Sequence, residues 1–197
     1  LFEKTVSQIM SGDAAKIAVF QELFGYLLSP DTCIHKVFFL YGEGANGKSL
    51  LLDVVSMVLG KENVSNASLG DLSKPFYRAA LVGKTANIST ENEISRRGFN
   101  SQYVKSISSG DPIQAECKYK DPISVKPTCK LVFAVNTLPT SMDSSFGLLR
   151  RIFILPFNER FEGEKADLHL VEKIKKELPG ILNWALVGLK RLRENNY

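Results

Sequence analysis

Gly42-Glu43-Gly44-Ala45-Asn46-Gly47-Lys48-Ser49 satisfies G-x-x-x-x-G-K-S at every fixed position. Glycines at this spacing let the backbone curl until its N–H groups face inward and cradle phosphate oxygens. A helix starting at the end of the loop adds partial positive charge. In such a cradle Lys48 reaches the β- and γ-phosphates of a nucleotide, and the Ser49 hydroxyl ligates Mg²⁺. The predicted nucleotide contacts are therefore Gly42, Glu43, Gly44, Ala45, Asn46, Gly47, Lys48, Ser49 and Leu50, with ATP and Mg²⁺ as the implied ligands. The loop by itself does not say what hydrolysis drives.

Phosphoryl transfer also needs a carboxylate near the metal and the attacking water. Thr85–Ser89 has the composition of a strand, and Thr90-Glu91-Asn92-Glu93 places two acids just past its end. Glu91 is the first candidate, as metal partner (directly or through water) and catalytic acid, and Glu93 the second. The competing reading is that either is a solvated loop acid. A second apolar run, Lys130–Val135, closes in Asn136, with Leu138-Pro139 behind it. An amide there can hydrogen-bond the γ-phosphate or the lytic water, or merely form a turn.

Positioning these groups requires buried strands followed by helices. Lys36–Tyr41 is a continuous apolar run, the pattern of a strand covered on both faces. Leu50–Leu59 continues as a helix stopped by Gly60. Strands are predicted at Lys84–Ser89, Leu131–Val135 and Ile152–Leu155, and a helix over Asn100–Ser108. Ile113–Lys120 alternates, with Ile113, Ala115, Cys117 and Tyr119 on one side, and predicts a half-exposed strand returning through Ile123-Ser124-Val125 as a hairpin. Asp13 is a plausible N-cap for a helix running to Leu28, ended before Pro30. From Asp167 onward the pattern is helical, with Leu182, Ala185, Leu189 and Leu192 on one stripe. The expectation is a helical collar over residues 1–30, a core over 31–160 and a helical segment over 161–197.

Composition bounds the rest. The chain has 197 residues, 44% hydrophobic and 23% charged, with a net charge of +4. That describes a globular domain rather than a polycation or a disordered chain. Cys33, Cys117 and Cys129 form no CxxC pair, and two histidines do not make a zinc site. No run is long enough for a membrane helix. The chain opens at Leu1, straight into helical pattern, which suggests a piece of a longer protein.

The ordered set of loop, acidic strand end and Asn-terminated strand resembles the superfamily III helicases. More narrowly, it is similar to the C-terminal ATPase of phage and plasmid primase-helicase proteins, related to the poxvirus-type nucleoside triphosphatase. Gly44-Ala45-Asn46-Gly47-Lys48-Ser49, Tyr103–Asp111, Gly147-Leu148-Leu149-Arg150-Arg151-Ile152 and the tail Glu177–Ala185 carry the resemblance, which runs from about Gln8 to Leu192. One departure is that Ser89-Thr90-Glu91-Asn92-Glu93 lacks the two adjacent acids of many relatives, leaving open which Glu does what.

The resemblance implies an α/β P-loop NTPase fold of AAA+-like type: a central, mostly parallel sheet, a β-hairpin insertion and flanking N- and C-terminal helices. It implies an ATPase driving helicase translocation on single-stranded DNA during replication, in the cytoplasm of a bacterial host. It further implies a ring homo-oligomer, commonly a hexamer, with ATP at subunit interfaces, and a primase domain N-terminal to it in the full-length protein. Arg151, or Arg150, would then act on the neighbour's γ-phosphate, although a paired arginine is also a common surface feature. Lys118, Tyr119 and Lys120 on the hairpin would grip DNA, with Lys105 a further contact, although lysines also protect edge strands. Two other readings stay open: a loader- or packaging-type P-loop ATPase acting on duplex DNA or protein, and an inactive nucleotide-binding prophage remnant.

Overall fold

The computed structural model describes residues 1–90, 99–119, 121–138, 145–163, 167 and 169–197. Its centre is a five-stranded sheet of β1 (Val37–Tyr41), β2 (Val64–Ser65), β3 (Ala86–Ser89), β6 (Lys130–Val135) and β7 (Ile152–Pro156). The spatial order is β2-β3-β6-β1-β7, and every neighbouring pair is parallel. In register, Val37 pairs with Leu131 and with Ile152.

The alternation of side chains along a strand divides the core in two. Phe38, Leu40, Val132 and Ala134 face one cluster; Val37, Phe39, Leu131, Phe133 and Val135 face the other. Phe39 stacks on Phe133 at 5.7 Å in the second. This explains why the runs read as uninterrupted apolar sequence: both faces of the sheet are covered.

The first face is covered by α1 (Phe2–Ile9), α2 (Ala14–Leu28), α3 (Lys48–Leu59), α7 (Leu170–Ile174) and α8 (Leu178–Glu194). Asp13 caps α2 by accepting from the N–H groups of Ala15 and Lys16. The other face holds α5 (Ser101–Ser109), which Asn100 caps. Two further helices, α4 (Pro75–Arg78) and α6 (Phe146–Leu149), are one turn long.

α2 and α8 meet backbone to backbone. A Cβ on Gly188 would run into the Gln21 carbonyl, and one on Gly25 into the backbone of Ala185 and Leu189. The buried stripe of α8 is accordingly Ile181, Ala185, Gly188 and Leu189, and Leu182 stands 38% exposed. The predicted stripe through Leu182 is corrected here. It weighted large apolar side chains, whereas the glycine sets the rotation of the helix by letting α2 approach. Trp184 closes the contact edge-on to Phe2 at 5.2 Å, with Phe20 and Phe24 nearby.

The hairpin is present but shorter than its alternation predicts. β4 (Ile113–Ala115) pairs antiparallel with β5 (Ile123–Val125), and the predicted strand to Lys120 is corrected to one ending at Ala115. Beyond it the Glu116 N–H donates to the Pro75 carbonyl of α4 rather than to a strand partner. Tyr119 takes a left-handed φ of 60°, which no regular strand accommodates. The fully buried Arg78 fastens the hairpin base: it donates to the Gln114 and Leu72 carbonyls and lies 3.8 Å over the Tyr103 ring.

Lys130, the first residue of β6, is 4% exposed. Its Nζ donates to the Ser29 carbonyl at the end of α2 and lies 5.1 Å from the Tyr26 ring. Burial pushes its ammonium down from 10.5 to about 8. In the unfolded chain the same group keeps its proton to higher pH, so between these values the unfolded state binds more protons and stability rises with pH. Denaturant titrations of the wild type and Lys130→Met at pH 7 and pH 10 should show their stability difference moving toward the wild type by about 2–3 kcal/mol. A pH-independent difference would contradict the account.

Candidate functional site

In a parallel sheet all strands end at the same edge. Here that edge gathers the loop 42–49 after β1, Thr90 after β3, Asn136 after β6 and residues 157–161 after β7. Crevices at such an edge are where open α/β sheets bind ligands. A cavity of about 470 Å³ lies there, floored by Ala45 to Leu50 of the loop and by Thr90, Ala134 and Asn136 at the strand ends.

The loop is braced from within. Asn46, 4% exposed, donates to the Glu43 carbonyl and accepts from Lys48 Nζ at 2.9 Å. Gly47 has φ +83°, and a Cβ there would strike the side chain of Ile9 on α1. A Cβ on Gly42 would strike the Phe157 carbonyl and Asn46. Gly44 has no such constraint, since nothing lies within 4 Å of the position its Cβ would take. From above, the Phe161 N–H donates to the Ala45 carbonyl at 2.7 Å.

Lys48 is 5% exposed. Its Nζ donates to the Gly42 carbonyl and Asn46 Oδ1, with the Glu43 carbonyl at 3.4 Å and Asn136 Oδ1 at 3.5 Å. Burial holds its ammonium below the ordinary lysine value, so an anion entering the cavity would favour the charged form. α3 starts at Lys48 with no described side chain capping it, which leaves its first N–H groups to serve an anion. Ser49 lines the same cavity. Among the described residues no group of three or more His, Cys, Asp or Glu gathers as a metal site. A hydroxyl beside an anion cradle suits Mg²⁺, which takes few protein ligands when phosphates supply the others.

The structure thus brings Lys48, Ser49, Leu50, Asn46 and Asn136 together. Glu91 and Glu93 lie outside the described residues, as does Lys120; Thr90, immediately before Glu91, lines the cavity. Arg150 and Arg151 are elsewhere. They precede β7, while the cavity follows the strand ends, so they lie at the opposite edge of the sheet. Arg151 donates to the Gly147 carbonyl at 2.6 Å and to Ser109 Oγ at 2.7 Å, and its Nε is buried without a partner among the described residues. Arg150 is exposed.

Lys105 lies beside α6, its Cδ 3.9 Å from where a Gly147 Cβ would be. Lys118 and Tyr119 form the exposed hairpin tip: the ring is 93% exposed and Lys118 Nζ lies 5.1 Å from it. The expectation that Tyr119 shares the inner side with Ile113 and Ala115 is corrected, because the strand has ended before it.

Sequence reading missed the remaining cavity walls: Thr5, Gln8 and Ile9 of α1, and Phe161, Asp167 and Leu170. No local motif marks them; only the packing of α1 on Gly47 and of Phe161 on Ala45 brings them to the loop.

Residues 40–151 match a protein family described as a family of unknown function, DUF5906. The chain belongs to the DUF5906 family. A helicase-named protein of Acanthamoeba polyphaga mimivirus is 29% identical to this DUF5906 chain over 184 residues, or 85% of the chain and 18% of the viral protein. A helicase-named protein of Invertebrate iridescent virus 6 is 26% identical over 148 residues, 70% of the chain and 15% of that protein. The DUF5906 chain therefore spans under a fifth of the length of these curated relatives. Two apo structures of the NrS-1 C-terminal region superpose with TM-scores of 0.75 and 0.76 at 17% identity, covering 93% of the DUF5906 chain and 44% of theirs. That likeness shows the α/β fold with its parallel sheet and flanking helices. No described helix is long and apolar enough to cross a membrane.

Proposed function

We propose that this chain is the ATP-hydrolysing motor of a DNA helicase, with a P-loop NTPase fold. The observation that carries the reading is the convergence of Lys48, Ser49, Thr90 and Asn136 on one cavity at the C-terminal edge of the sheet. A lysine on the loop, a hydroxyl at the helix start and an amide at the end of the adjacent strand are the set that holds a magnesium-bound triphosphate and senses its γ-phosphate. The helicase names of the two viral relatives support what hydrolysis drives.

In this reading Lys48 gives up its carbonyl partners for β- and γ-phosphate oxygens, and Ser49 holds Mg²⁺. Asn136 orients the γ-phosphate or the water that attacks it. The acid is assigned to Glu91 first and Glu93 second, which follow Thr90 in the sequence. The transferring phosphoryl group also needs a cation from outside. Arg150 and Arg151 are separated from the cavity of their own chain by the length of β7, five residues or about 17 Å. Only a second copy can present them, which favours a ring of like subunits. Arg150 suits the role because it is exposed, whereas Arg151 is engaged in holding α6 to α5. Lys118 and Tyr119 at the exposed hairpin tip offer charge and a stacking face to single-stranded DNA, and Lys120, next in sequence, is assigned the same role.

The test is ATP turnover by the purified chain with and without single-stranded and duplex DNA, its solution mass measured alongside. Stimulation by single strands is the expected result. Preference for duplex DNA would favour a loader- or packaging-type ATPase, and ATP binding without turnover an inactive remnant.

A further inference from the structure

We infer that the cavity wall built by α1 and by the chain after β7 is a nucleobase subsite: Ile9, Phe161 and Leu170 take the flat faces of a purine, and the Gln8 amide reads its edge. The inference rests on the reading of residues 42–49 as a triphosphate cradle. Phosphates require N–H donors and a cation, which the loop, the start of α3 and Lys48 supply. They give no reason for an apolar wall, yet Ile9 is 3% exposed and Phe161 and Leu170 are half-buried on the same cavity. An aromatic ring with aliphatic side chains around it suits a planar heteroaromatic base.

The wall is fastened to the cradle. Ile9 packs on Gly47, and Phe161 donates to the Ala45 carbonyl at 2.7 Å. The spacing between base and phosphates is therefore fixed by the fold rather than by a flexible loop. Of the polar groups on this wall, Asp167 is engaged by Lys173 and by the His169 N–H, and the Thr5 hydroxyl donates to the Leu1 carbonyl. The Gln8 amide has no side-chain hydrogen bond among the described residues and lines the cavity. It offers one donor and one acceptor side by side, the complement of the N6 amino group and N7 of adenine. Guanine presents two acceptors on that edge and loses one of the two bonds.

Calorimetric titration of the whole chain with ATP, GTP and inorganic tripolyphosphate, each with Mg²⁺, tests this. ATP should bind about tenfold more tightly than tripolyphosphate, the gain that burial of a stacked base provides. Gln8→Ala should reduce the ATP-over-GTP preference about fivefold, the worth of one hydrogen bond. Phe161→Ala should reduce the ATP-over-tripolyphosphate preference. Because Gln8 is exposed, its variant reads the subsite even if Phe161→Ala fails to fold. Equal binding of ATP and tripolyphosphate by the wild type overturns the subsite and leaves the phosphate cradle standing. An undiminished ATP preference in Gln8→Ala does the same. Failure of ATP and tripolyphosphate alike removes the cradle and the subsite with it.

Discussion

Lys48→Ala is expected to lose ATP turnover by about three powers of ten if the chain hydrolyses ATP as proposed, because no other described cation lines the cavity that would hold the transferring phosphoryl group. Its amine is held by oxygens of its own loop and strand end, at Gly42, Asn46 and Asn136. A triphosphate replaces those neutral acceptors with anionic ones, and the gain falls on the charged form that burial disfavours in the free protein. Stability therefore responds differently from activity. Removing an ammonium that burial already penalises leaves the free protein about as stable, or more so, when Met preserves the volume. ATP and Mg²⁺ are expected to raise the melting temperature of the wild type through linkage and to leave that of both variants unchanged. The measurement is turnover together with thermal melts at several ATP concentrations, on wild type, Lys48→Ala and Lys48→Met. An ATP-dependent melting shift of wild-type size in Lys48→Met would mean that the loop does not hold the triphosphate.

The parts of this site legible in the sequence share one property: the interactions that define them are local. The loop 42–49 braces itself through Asn46, its strand is an apolar run, and Asn136 follows directly on another. The caps Asp13 and Asn100 bond N–H groups two or three residues away. What escaped reading depends on contacts between distant segments. Ile9 meets Gly47, and Phe161 meets Ala45, across sequence separations of 38 and 116 residues. The same distinction separates the hairpin strand and the α8 stripe, whose sequence patterns mislead, from the core strands. β4 stops at Ala115 because α4 takes the next N–H group, and nothing in the alternation of residues 113–120 announces a competitor from residue 75. On α8 the leucine spacing points to Leu182, and only the backbone of α2 at Gln21, which meets Gly188, turns the other face in.

Arg150→Ala is expected to lose about three powers of ten in turnover while still binding ATP, since a cation supplied in trans stabilises the transition state far more than the bound substrate. The topology supplies a sharper test than the single variant. Lys48 and Arg150 occupy opposite edges of one parallel sheet, so in a head-to-tail ring each active site takes its loop from one subunit and its arginine from the next. Lys48→Ala and Arg150→Ala proteins are each inactive. When they are mixed at equal concentration and allowed to exchange subunits, roughly a quarter of interfaces join an intact loop to an intact arginine, and turnover returns to that extent. Arg151→Ala should separate from this behaviour. It breaks the bonds to Gly147 and Ser109 that hold α6 against α5, so it lowers the melting temperature, which Arg150→Ala, altering an exposed side chain, does not. If the mixture stays inactive while each variant retains the wild-type solution mass, the arginine does not act across an interface. If Arg151→Ala, and not Arg150→Ala, is the variant that complements Lys48→Ala, the finger is the residue now bound inward, and it must release Ser109 and Gly147 when subunits meet.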